Sequence, residues 1–219
     1  VRKQGDGWDV TLCRGCTTHD CRFGLPMETG FVDRFVDVVQ KTGWSEFVLE
    51  QVGSGVSVHK RIRFAIAGCA NGCSRPQIVD FGLLRAVLPN VEPDACTGCG
   101  FCTGACPEGS VSMEPAHGTG VCVPLIDRDQ CLLCGRCSAA CPEGAMRMTA
   151  TGWRVVVGGR LGRLPVLARE LPGLYDDDAV LQLVDALVRL FMQHWKPGLR
   201  LGVLLEELGF ENVVSACSL

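Results

Sequence analysis

The stretch AIAGCANGCSRPQIVDFG, residues 65–82, sets Cys69 and Cys73 four positions apart directly after an apolar run. That C-x3-C spacing is neither the C-x2-C of a zinc ribbon nor a disulfide pattern. Just upstream, RIRFAIAG (61–68) alternates before turning wholly apolar, which predicts a strand delivering Cys69 at its C-terminal end. A basic string, HKRIR (59–63), opens this segment. Alternation along a strand puts Arg61 and Arg63 on one face, either lining a site or forming a solvated edge.

Cysteine dominates the composition, with fifteen in 219 residues, in a chain otherwise ordinary for a globular protein at 47% hydrophobic and 21% charged. A disulfide scaffold of that density belongs to short chains in oxidising compartments. No apolar run approaches the ~20 residues needed to cross a bilayer. The N-terminal VRKQGDGWDVTLC also lacks the apolar core of a signal peptide. The expectation is a cytoplasmic protein without a membrane span, in which closely spaced thiols hold metal. A formal charge of −3 gives no general attraction to nucleic acid.

Two segments repeat: CTGCGFCTGACPEG (96–109) and CLLCGRCSAACPEG (131–144). Each reads C-x2-C-x2-C-x3-C-P, the bacterial ferredoxin run for paired [4Fe–4S] clusters, in which the fourth cysteine ligates the other cluster. This predicts Cys96, Cys99, Cys102 and Cys141 on one cluster, and Cys131, Cys134, Cys137 and Cys106 on the second. Thiolates are the soft donors such clusters need, and the short gaps let one loop wrap three corners of a cube. Gly98, Gly100, Gly104, Gly135, Ala139 and Ala140 let the backbone approach and aim N–H groups at sulfur, which tunes reduction potential. Paired zinc sites would not require a doubled four-cysteine run ending twice in Cys-Pro. Residues 88–150 resemble a two-cluster ferredoxin along their whole length.

Outside the repeat, METGFVDRFVDVVQKTG has apolar residues at 31, 32, 35, 36, 38 and 39, the pattern of an amphipathic helix closed by Gly43. WRVVVGGRLGRLP (153–165) reads as a strand entering a glycine-rich turn without the G-x-G-x-x-G or Walker spacing. A long amphipathic helix follows over 177–195, with Asp177 as N-cap and Pro197 beyond its end, and then a shorter one in LRLGVLLEELG. The expected fold class is α+β. A discontinuous host, 1–87 with 151–219, carries an inserted ferredoxin-like domain at 88–150.

The host resembles the [4Fe–4S] half of siroheme-dependent sulfite and nitrite reductases. The likeness rests on the cysteine pair ending in CRFGL, on KRIRFAIAGCANGCSRPQIVDFGLL (60–84), and on RVVVGGRLGRLPVLARELPG with the helix after it. Dissimilatory and anaerobic members of that family also carry a ferredoxin at this insertion point. The resemblance implies a third [4Fe–4S] cluster on Cys16, Cys21, Cys69 and Cys73, with Cys73 bridging to a siroheme iron. Lys60, Arg61 and Arg63 match the family's basic strand and would bind an oxyanion such as sulfite or nitrite. Arg160 and Arg163 would either pair with the acidic groups of the cofactor or form a surface turn.

The chain departs from the family pattern in two places. Cys16 and Cys21 have four intervening residues where the family has five, and Cys13 lies three positions upstream, so Cys13, Cys16 or both serve as ligand. The family also has a half-domain before the first pair, whereas twelve residues precede Cys13 here. A partner subunit supplies that half, a homo-oligomer closes the pocket, or siroheme does not bind. In the last case the chain is an iron–sulfur electron carrier working with a donor protein or redox subunit, or one whose third site holds a modified or enlarged cluster. Cys122 and Cys217 read as idle thiols and His19 as a loop residue.

Overall fold

Alternation of apolar residues decides which face of the main sheet is buried. The computed structural model describes residues 1–18, 20–53, 56, 60–115 and 120–217. They form two compact units, one of Val1–Arg85 with Trp153–Leu219, the other of Ala86–Gly152. In the first, β1 (Arg2–Gly5) and β2 (Trp8–Leu12) make an antiparallel hairpin. The chain then crosses through α1 (Phe31–Lys41) and α2 (Trp44–Val52) to β3 (Ile62–Ala67), which pairs parallel with β2. A thiol-bearing loop leads to β4 (Phe81–Val91), again parallel to β3. β7 (Met146–Val157) and the short β8 (Arg169–Glu170) complete the order β1-β2-β3-β4-β7-β8.

Period two puts Trp8, Val10 and Leu12 of β2, Ile62, Phe64 and Ile66 of β3, and Trp153, Val155 and Val157 of β7 on one face. That face packs under α1, α2, α5 (Asp177–His194) and α6 (Leu201–Leu208). Aromatic rings seal the contact: Phe31 stacks on Trp153 at 4.6 Å, Phe35 meets Phe64 edge-on at 5.5 Å, and Trp44 stacks on Phe191 at 5.3 Å.

The helix reading shifts in three places. Asp176, not Asp177, caps α5, accepting the Ala179 N–H at 2.8 Å. Asp177 is taken instead by the Trp153 indole N–H (2.7 Å) and the Arg85 guanidinium (3.1 Å), a tertiary demand that local pattern does not reveal. Gly43 does not merely end α1; its left-handed backbone (φ 80°) starts α2. An unanticipated α7 (Phe210–Cys217) follows α6.

The second unit has a hairpin of β5 (Val111–Pro115) and β6 (Cys122–Ile126) and two short helices, α3 (Phe101–Ala105) and α4 (Arg136–Ala139). Its core is small: Cys102, Val111, Ile126, Cys137 and Met146. Among the described residues, no helix is long and apolar enough to cross a membrane.

Close backbone approach fixes the loop between β3 and β4. A methyl group on Gly82 would stand 2.4 Å from the Pro76 carbonyl oxygen. Gly82→Ala is therefore expected to lower unfolding stability by about 1–3 kcal/mol through overpacking. Gly162→Ala, where a methyl meets open space, should stay within about 0.5 kcal/mol; urea unfolding of both variants checks this.

Candidate metal centres

Because β2 and β3 run parallel with Leu12 opposite Ile66, the residues that follow them emerge at the same edge of the sheet. Cys13 comes directly after β2 and Cys69 two residues after β3, so the strand register itself brings the two cysteine loops together. The Cys13 N–H donates to the Ile66 carbonyl (3.2 Å), and the Gly68 N–H donates back to Cys13 Sγ (3.2 Å). Leu25 N–H on Gly68 O (2.9 Å) and Gly24 N–H on Cys21 O (2.8 Å) fold the Cys21 turn against the same loop. Burial raises the Cys69 thiol; the Asn71 backbone opposes this, and the facing thiols of Cys13, Cys21 and Cys73 raise it further. Cys73 is exposed, at a turn set by Gly72 (φ 59°).

Cys13 and Cys16 differ sharply. Their sulfurs are 3.6 Å apart. Cys13 is half-buried, and donation from the Cys16 thiol, aided by the Gly68 N–H, lowers its pKa to about 5. Cys16 belongs to the hydrophobic core at 5% exposure, points at the Ile66 carbonyl oxygen (3.5 Å), and is pushed far up by its bond to Cys13 and by burial. Cys69 feels the nearby thiols of Cys13, Cys21 and Cys73, and Cys16 in turn feels those of Cys13 and Cys69, so all five gather at this end of the sheet.

The basic residues gather elsewhere. Arg61 and Arg63 stand at the opposite end of β3, whose six residues span roughly 20 Å. Arg61 donates to Asp9 (3.0 Å). Asp80, 2% exposed, accepts the Arg63 backbone N–H (2.9 Å) and both of its oxygens accept from Arg200 (3.1 and 3.2 Å). Burial raises the Asp80 carboxyl, against the pull of Arg200 and Arg63. Lys60 is exposed beside a small cavity lined by Arg61, Asp80, Trp195 and Arg200. The structure does not bring Lys60, Arg61 and Arg63 to the thiols. Arg200, which with Asp80 holds this end of the sheet, carries no motif that would single it out in sequence.

In the second unit the two repeats share one backbone path. Gly100 (φ 75°) and Gly135 (φ 71°) precede α3 and α4; Gly109 (φ 64°) and Gly144 (φ 65°) turn the chain after each Cys-Pro. At the third equivalent pair, Gly98 (φ 74°) is matched by Leu133 (φ 55°), a left-handed leucine that costs about 1–2 kcal/mol. Cys96, Cys99, Cys102 and Cys141 line one cavity with Met113 and Met146. Cys137 is raised by burial and, to a lesser degree, by its neighbours Cys131 and Cys134. Cys106 packs against the core that Cys102 and Cys137 share.

The donor set fits sulfur-rich clusters. Thr103 and Ser138, each following the third cysteine of its repeat, bury a hydroxyl with no well-formed hydrogen bond among the described residues. Burial raises Cys102 and Cys137, while these same residues supply the donors that oppose it. Buried hydroxyls beside cysteine sulfur at matching positions are donors that cluster sulfurs would satisfy. Among the described residues, no three Cys, His, Asp or Glu side chains converge on a single-ion site.

The remaining candidates sit apart. Arg160 has a buried Nη1 without a hydrogen bond among the described residues, and Arg163 is exposed. Cys122 is exposed on β6. His19, His59 and the Cys217 side chain lie outside the described residues. Arg75, exposed and left-handed (φ 60°) two positions after Cys73, is a site-adjacent cation that pattern reading did not find.

Residues 55–219 match the family model described as the nitrite and sulphite reductase 4Fe-4S domain. A coenzyme F420-dependent sulfite reductase of Methanocaldococcus jannaschii is 44% identical over 46 residues, 21% of this chain and 7% of that protein. The uncharacterized protein MJ0551 of the same organism is 28% identical over 159 residues, 73% of this chain and 53% of that one. Among solved structures, dissimilatory sulfite reductase I (DsrI) aligns at a TM-score of 0.58 and 17% identity, over 99% of this chain and 53% of its own. Mycobacterium tuberculosis NirA aligns at 0.50 and 19%, over 96% and 27%. At these identities the structural likeness is one of fold, and the chain spans about half the length of MJ0551 and of DsrI, and less of the other two.

Asp80 provides a test of the charged end of the sheet. Asp80→Asn leaves Arg63 and Arg200 without their shared anion. The expected loss is about 2 kcal/mol in urea unfolding, below the 3–5 kcal/mol of a fully buried pair because both guanidiniums reach solvent.

Proposed function

Because the chain belongs to the nitrite and sulphite reductase 4Fe-4S domain family, we propose that it is an iron–sulfur oxidoreductase module for reducing a small oxidised substrate such as sulfite or nitrite. In this reading Cys13, Cys21, Cys69 and Cys73 hold one [4Fe–4S] cluster. Cys96, Cys99, Cys102 and Cys141 hold a second, and Cys106, Cys131, Cys134 and Cys137 a third. Such clusters supply one-electron transfer at low potential. The reading is supported by the register that ends β2 and β3 together, by the Gly68 N–H on Cys13 Sγ, and by the influence of Cys13, Cys21 and Cys73 on Cys69. Cys13 is preferred to Cys16 as ligand because the Gly68 N–H already serves its sulfur.

The chain's own residues do the positioning. Gly68 and the Cys21 turn fix the thiol directions, and the exposed side of Cys73 is the outlet toward whatever lies beyond. If that is siroheme, Cys73 would be the thiol nearest it, and Arg160 and Arg163 remain candidate partners for its acidic groups. A second copy or another subunit then completes the pocket. A siroheme-free relay between a donor protein and another enzyme is the second reading. Its support is that Arg61 and Arg63 are held by Asp9 and Asp80 rather than facing the thiols.

Anaerobically purified protein is expected to contain about twelve irons and matching acid-labile sulfide per chain. Cys13→Ser should lose about four irons, and Cys16→Ala should lose none. An extractable tetrapyrrole selects the siroheme reading and its absence the relay. Iron near eight in the wild type would remove the cluster on Cys13, Cys21, Cys69 and Cys73 from both readings.

A further inference from the structure

The two cysteine repeats agree in backbone but differ at one buried position. After each Cys-Pro-Glu-Gly, the first repeat has Ser110 and the second Ala145. Both are buried, at 4% and 2% exposure, and both follow a glycine with the same left-handed twist. The preceding turns match as well, with Gly109 N–H on Cys106 O and Gly144 N–H on Cys141 O, each at 3.3 Å. The Asp127 N–H pins the Ser110 carbonyl at 2.8 Å. Its hydroxyl stands 3.2 Å from Cys106 Sγ. On the other side, Cys141 Sγ accepts the Met146 backbone N–H at 3.4 Å, and Ala145 offers no hydroxyl.

We propose that Ser110 is a positioning residue that sets the order of the two reduction potentials in this unit, making the cluster on Cys106, Cys131, Cys134 and Cys137 the easier to reduce. The inference rests on the two-cluster reading above. A metal-bound thiolate has no proton, so the Ser110 O–H is the donor in this contact. Reduction adds one electron to the cluster, and part of the added charge falls on the cysteine sulfurs. A donor already aimed at one of them stabilises the reduced form more than the oxidised one and raises the potential. The low dielectric of a buried site strengthens this effect. The cluster served by Cys141 has only the backbone donor at the matching place, so the first electron settles on the Cys106 side.

EPR-monitored redox titration of the wild type, Ser110→Ala, Ser110→Thr and Ala145→Ser, each with iron and sulfide analysis, tests the inference. In Ser110→Ala the higher of the two midpoints is expected to move negative while the lower stays, with iron unchanged. Ser110→Thr, which keeps a hydroxyl, should restore the wild-type midpoint. Ala145→Ser should move the lower midpoint positive. Unmoved midpoints in both Ser110→Ala and Ala145→Ser, with clusters retained, would overturn the proposal. If Ser110→Ala loses iron, Ala145→Ser decides, since an unshifted lower midpoint there overturns it equally. A wild type without the eight irons of two such clusters would instead overturn the two-cluster reading, a failure visible in the metal analysis before any titration.

Discussion

The parallel pairing of β2 and β3 is the constraint on which the rest depends. Parallel strands present their C-terminal ends at one edge of a sheet, and open sheets flanked by helices place their ligands at that edge. Here each strand releases a cysteine loop as soon as its pairing stops. Cys13 and Gly68, 55 residues apart in sequence, become hydrogen-bonded neighbours. A slip of one residue in the register would turn either Val10 of β2 or Phe64 and Ile66 of β3 out of the core, so hydrophobic burial and thiol geometry are fixed by one alignment.

The same strands give their other ends a different task. Asp9, Arg61, Arg63, Asp80 and Arg200 neutralise one another where β2, β3 and β4 begin. Burial of Asp80 is tolerable only with such partners, since an unpaired carboxylate at 2% exposure would be costly. Basic residues in a strand next to a cofactor motif invite a catalytic reading; here they belong to this structural network, with β3 between it and the thiols. Family membership is established for the chain, and the anion-binding role of these residues is not part of what its geometry supports.

Much of the architecture was legible because it rests on local periodicity. The strand through 62–67, the helices α1 and α5, and the doubled cysteine run all follow from spacing alone. What escaped depends on contacts distant in sequence. Asp177 looked like a cap because nothing local shows that Trp153 and Arg85 claim it. The choice between Cys13 and Cys16 was open because both precede Cys21 at workable spacing, and in the fold their sulfurs lie 3.6 Å apart. Ser110 could have been found by laying one repeat on the other, where it is the polar member of an otherwise apolar pair. α7 was missed because the apolar pattern after Gly209 is short.

The position of the second unit within the chain also bears on how the protein is made. β4 leads into it and β7 leads out, so during synthesis β1 to β4 and the five thiols of residues 1–85 emerge before any of β7, β8 or α5. Trp153, Val155, Leu183, Val184 and Leu187, a large part of the core over the sheet, arrive only after residues 86–152 have been translated, a delay of several seconds at ordinary elongation rates. Until then β4 has no β7 beside it, and the inner face of the sheet is only partly covered. A nascent chain in that state exposes apolar surface and the thiols of its first 85 residues together.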